Sequence, residues 1–133
     1  MITGTQPTLG QTYGGATLAV PATHGVLVKL TGNDLVTPCT GATDKPFQIL
    51  TDDYRNYQDA RSSGWQANNL CTGQINGLGQ TSNFIAANVT GGVQLGIDAT
   101  TGFLCALPNG GTVVGKAIAV TGGVLHYQLL LTA

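Results

Sequence analysis

The stretch VVGKAIAVTGGVLHYQLLL, residues 113–131, reads as two extended runs pinched together by Thr121-Gly122-Gly123. In the second run Leu125, Tyr127, Leu129 and Leu131 share one face, while His126 and Gln128 point away. A period of two is the spacing of a half-buried strand, because successive side chains of an extended chain project to opposite faces. The glycine pair suits the positive φ of a tight reversal. The run therefore predicts a hairpin whose last strand, 125–131, is internal and pairs with residues 113–120.

The same device recurs upstream. GVLVKL places Val26, Val28 and Leu30 on one face against Leu27 and Lys29, and GVQLGI places Val93, Leu95 and Ile97 against Gln94 and Gly96. Each run heads a similar stretch, residues 25–50 and 92–118: a strand, a polar turn (TGND or DATTG), an apolar pair (Leu35-Val36 or Phe103-Leu104), a Pro/Gly-rich loop and another apolar run. This is a weak internal repeat, two related β units, too short for a solenoid. Two further short strands are expected around 70–75 and 84–89. Helical spacing is scarcely visible, so the predicted fold is all-β, a small compact barrel or sandwich with at most one or two short helices.

Two segments break the pattern. Residues 1–15, rich in Gly, Thr, Gln and Pro, read as an extended N-terminal arm with Ile2, Leu9 and Tyr13 as its sizeable apolar side chains. Lacking a strand pattern, the arm is expected to stand apart from the β domain of residues 16–133, so that its removal leaves the fold intact. Inside that domain, residues 51–69 form a polar and aromatic insert holding both arginines, two of the four tyrosines and the single Trp. Thr51 could cap a short helix through Gln58, with Asp52 and Asp53 in its first turn. A long functional loop is an equal alternative.

At 133 residues the chain suits one domain. Its charged fraction is 8%, against about 25% in ordinary globular proteins. The exposed surface must therefore be neutral and polar. A net charge of −1 gives no electrostatic attraction to nucleic acid or an anionic membrane. No apolar run approaches the roughly 18 residues of a membrane span. The first residues lack the basic and apolar regions of a secretory signal, which points to synthesis in a cytosol. Cys39, Cys71 and Cys105 are widely spaced and odd in number, so they read as small buried hydrophobes; one disulfide with a leftover thiol is the alternative.

Little in the chain resembles a reactive centre. His24 and His126 read as satisfied core or surface histidines, and Asp52, Asp53 and Asp59 lack the spacing of a calcium loop and read as solvated charges or helix-cap residues. No nucleophile elbow, phosphate loop or zinc-protease motif is present, so neither enzyme activity nor a cofactor or metal is expected. The concentration of Tyr54, Arg55, Tyr57, Arg61 and Trp65 asks for a partner, since Tyr, Trp and Arg are the side chains most enriched at binding hot spots. The bland alternative is an insert folded over its own barrel with Trp65 as a plug.

The closing pair VVGKAIAVTGG and LHYQLLL, preceded by GVQLGIDATTGFLCALPNGG, resembles the head-decoration (capsid cement) proteins of tailed bacteriophages. The stretch HGVLVKLTGNDLVTPCT resembles the same family's opening strand and turn. The resemblance covers residues 24–50 and 92–131. It implies a structural virion protein on the capsid exterior, binding the major capsid protein and stapling neighbouring subunits. It also implies a homo-oligomer, with a trimer favoured over a dimer. The expected capsid contacts are Ile2, Leu9 and Tyr13 of the arm with Tyr54, Arg55, Tyr57, Arg61 and Trp65 of the insert. A carbohydrate-binding module of a phage fibre, stacking sugars on Trp65, Tyr54 and Tyr57, is the rival from another class.

Overall fold

The computed structural model describes residues 4–52 and 64–131. Among them there is no helix. The strands are β1 (Thr5–Leu18), β2 (Leu27–Gly32), β3 (Leu35–Pro38), β4 (Gln48–Leu50), β5 (Leu70–Thr81), β6 (Gln94–Ile97), β7 (Leu104–Ala106), β8 (Gly115–Thr121) and β9 (Val124–Leu130). They form one mixed sheet in the order β1-β3-β2-β4-β5-β9-β8-β6-β7, and β1 also pairs with β5. That extra pairing closes β1, β3, β2, β4 and β5 into a five-stranded ring.

The closing hairpin forms as its alternation predicts. β9 is internal, pairing antiparallel with β8 on one side and with β5 on the other. Leu125, Tyr127 and Leu129 are buried, and Leu131 packs against the same core.

The internal repeat is visible as topology. In the first unit β2 lies between β3 and β4, and in the second β6 lies between β7 and β8, all antiparallel. β4 then pairs with β5 as β8 pairs with β9, and the two units meet along the antiparallel β5–β9 seam. The equivalent loops touch, the Thr112 N–H donating to the Ala42 carbonyl at 2.8 Å.

One sheet thus serves two cores. Ala16 and Leu18 of β1, Val28 of β2, Val36 of β3, Leu50 of β4 and Cys71 of β5 meet inside the ring, together with Val26 and Trp65. Leu27 and Ile49, on the opposite faces of β2 and β4, join Leu95, Ile97, Leu104, Ala117, Leu125, Tyr127 and Leu129 in the other. The sequence placed Leu27 on the solvent side of a half-buried strand. It is fully buried instead, because the second unit folds back over the ring, while Leu30 runs out to solvent at 50% exposure.

Other expectations are corrected. Residues 5–18 are not an arm standing apart: β1 pairs along its length with β5, from Thr5–Thr81 to Thr17–Leu70. Its alternation is broken by three register shifts, which hides the strand from a period-two reading. The run expected over 70–75 continues to Thr81, and 84–89 supplies only an isolated bridge from Phe84 to Leu104. Glycines that look like turn signals sit in β5 where strands crowd: a Cβ on Gly77 would lie 2.2 Å from the Leu9 carbonyl oxygen. Thr51 and Asp52 continue the sheet pairing, their N–H groups donating to the carbonyls of Thr72 (3.1 Å) and Thr5 (3.0 Å). Asp52 is buried, not solvated, and the remainder of the expected helix lies outside the described residues.

Candidate interaction surface

Trp65 is 2% exposed. It bridges Ala22, its indole N–H donates to the Thr51 carbonyl at 2.8 Å, and its ring packs inside the ring of strands. Trp65 is therefore the plug and not a contact residue, which removes it from both the capsid surface and the sugar platform. Ile2, Tyr54, Arg55, Tyr57 and Arg61 lie outside the described residues.

Tyr13 is half-buried. Its hydroxyl donates to Asp34 Oδ1 at 2.8 Å, and its ring meets Phe47 edge-on at 5.5 Å. The hydrogen bond to the Asp34 carboxylate raises the phenol above its usual pKa, with burial and the carboxylate charge acting in the same sense. Leu9, four residues earlier on the same strand, is 70% exposed.

A buried polar group sits where β1 begins. Thr5 Oγ1 lies 2.8 Å from His24 Nδ1 and 2.6 Å from Thr81 Oγ1, and the Thr5 N–H donates to Asp52 Oδ1 at 2.9 Å. His24 Nδ1 also stands 3.8 Å from Asp52 Oδ1. A hydroxyl, a histidine and a carboxylate in one place invite comparison with a catalytic relay. The geometry rejects it: hydroxyl and carboxylate approach the same ring nitrogen, whereas a relay needs them on opposite ones. Thr5 is also fully buried. The group fastens the start of β1 to the end of β5 and to the base of the insert. Among the described residues no cluster of His, Cys, Asp or Glu could hold a metal.

All three cysteines are buried thiols outside any disulfide. Burial pushes the Cys39 thiol up to about 12, and burial raises Cys105 as well. Neither thiol is poised as a nucleophile, which would need a lowered pKa.

Among the described residues, one face open to a partner is the outer face of β1, β5, β9 and β8. Directly paired residues share a face, so Leu9, Leu78, Gln128 and Lys116 form one row across it. Gln6, Gln80, His126 and Ala119 form a second row, and Gln11, Asn76 and Leu130 a third. Ile118 stands out at a bulge in β8. Leu130 is 52% and Ile118 50% exposed. A shallow cleft of about 310 Å³ opens there, lined by Thr8, Leu78, Ile118, Ala119, Thr121 and His126 among others. Lys116 is the one charge in these rows.

Of the expected contacts, the structure sets Leu9 on this face. The sequence reading missed Leu78, Ile118 and Leu130. The available signal was Lys116 and Ile118 on either side of Ala117, two larger side chains facing away from a small buried one.

No protein-family model matches this sequence. Nor does any curated protein match it.

Proposed function

We propose that this protein is a capsid decoration protein of a tailed bacteriophage, a structural component that binds the outside of the head and staples major capsid subunits. The observation that carries the reading is the outer face of β1, β5, β9 and β8, neutral and partly apolar on a rigid, doubly cored β scaffold. Decoration asks for a stable shape and a surface that many copies can bring together without neutralising a large field. The repetitive turn-and-strand plan that resembles the family lies in the two units building that scaffold. On this reading the shell meets Tyr13 of β1, beside Ile2 and the insert residues Tyr54, Arg55, Tyr57 and Arg61. Each virion copy also contacts its own kind.

The sugar-binding rival loses most from the burial of Trp65, because a stacking platform must present its ring face to solvent. Co-sedimentation with undecorated tailed-phage heads tests the proposal, run beside a glycan array. Saturable binding to heads, with heads that resist heating better once coated, is the expected outcome. Binding to glycans but not to heads would sink it.

A further inference from the structure

We propose that a second copy of this chain docks on the outer face of β1, β5, β9 and β8, with Leu9 of each copy entering the cleft of the other. Leu9 is the most exposed large apolar side chain of the described residues, at 70%. Its chain neighbour Thr8 and its cross-strand partner Leu78 both line the cleft. Knob and hole therefore lie side by side on one face of one chain. A two-fold axis passing between them seats both knobs at once, the defining property of an isologous contact. A foreign partner would need a knob of its own and also a hole for Leu9; a second copy brings both.

The charges agree with a self-contact. Among the described residues no carboxylate stands on this face: Asp34 and Asp98 lie in turns, Asp44 in a loop where it pairs with Lys29, and Asp52 is buried. The polar side chains of the face are mostly amides, Gln6, Gln11, Asn76 and Gln128, and an amide both donates and accepts. Such a surface satisfies a copy of itself, whereas a face rich in one charge would repel it. The contact closes at two, so it selects a dimer over the trimer that the family resemblance implies.

Sedimentation equilibrium of the full chain over a range of concentrations is the test. A monomer–dimer equilibrium is expected, weakened about tenfold or more by Leu9→Glu or Ile118→Glu, as for a central anchor. Leu30→Glu, as exposed as Ile118 but on β2, outside that face, should leave it unchanged, and unaltered melting temperatures confirm that each variant folds. Mixing Leu9→Cys with Ile118→Cys protein should give an interchain disulfide that neither gives alone. A monomer at every concentration, a trimer, or Leu9→Glu associating like the wild type overturns the inference. So does Leu9→Glu losing its hold on phage heads with self-association intact, which would hand the face to the shell. Because association is measured without heads, the dimer and the decoration reading stand or fall separately.

Discussion

The two β units share one pairing plan and meet different ends. In the first, β3-β2-β4 runs into β5, and β1 closes the sequence into a ring. In the second, β7-β6-β8 runs into β9, and among the described residues no strand returns to close it. In the first unit β2 and β4 accordingly bury residues on both faces, Leu27 and Ile49 toward one core and Val28 and Leu50 toward the other. The second unit buries one face and leaves Lys116, Ile118 and Leu130 outside. Local sequence can thus write the same hairpin grammar twice, while a single non-local strand decides which copy becomes scaffold and which presents a surface.

The largest effect should come from removing that strand. Deleting residues 1–14 strips most of β1 from β5 and exposes the buried polar group around His24. The loss should exceed about 5 kcal/mol, the scale of a whole marginal domain, and abolish cooperative thermal unfolding. Unchanged melting would restore the independent arm and break the contrast between the units.

Next come the cores. Trp65→Ala inside the ring and Tyr127→Ala in the shared core should each cost about 3–5 kcal/mol by leaving a large cavity. Tyr127 carries an extra penalty, since its hydroxyl donates to Gln74 Oε1 at 2.8 Å and loss of Tyr127 leaves that buried acceptor short. A single transition in chemical denaturation for both variants is expected, because β2 and β4 belong to both cores. Two separate transitions would show units that fold alone.

A glycine pair sharpens the comparison further. Gly77 in β5 and Gly92 before β6 have φ of 94° and 93°. A Cβ at Gly92 meets nothing within 4 Å, whereas one at Gly77 lies 2.2 Å from the Leu9 carbonyl oxygen. Gly92→Ala should cost about 1 kcal/mol, the backbone strain alone, and Gly77→Ala several-fold more. Equal costs, read from denaturation midpoints, would mean that β1 yields easily.

The smallest effect concerns pH. Cys39 is raised from 9.0 to about 12, and burial raises Tyr127 too. The folded state holds these protons more tightly than the unfolded chain, so their stabilisation is complete below the unfolded pKa and is lost as pH rises. Stability should decline between pH 9 and 12, and Cys39→Ala should flatten that decline. A flat profile in the parent protein would place the thiol in water.

The legible parts of the fold are those with regular alternation and short loops. Leu125 to Leu131 announced an internal strand, and the paired runs from Gly25 and Gly92 announced a repeat that the pairing order reproduces. β1 was illegible because its bulges break the period, and β5 because its glycines answer to neighbouring strands rather than to turns. The candidate surface suffered equally. Trp65 carries the chemistry of a binding hot spot, yet its indole N–H finds a buried carbonyl and its ring fills the barrel.

By itself the sequence determined an all-β chain, its closing hairpin, its repeated unit and its scarcity of charge, since these follow from period, turn chemistry and composition within a few residues of one another. Only the tertiary structure decided that Thr5 meets Thr81, that Trp65 is a plug and that Leu9 stands beside a cleft. Those outcomes depend on contacts between residues distant along the chain, and a pairing that spans seventy residues leaves no periodic mark on either partner.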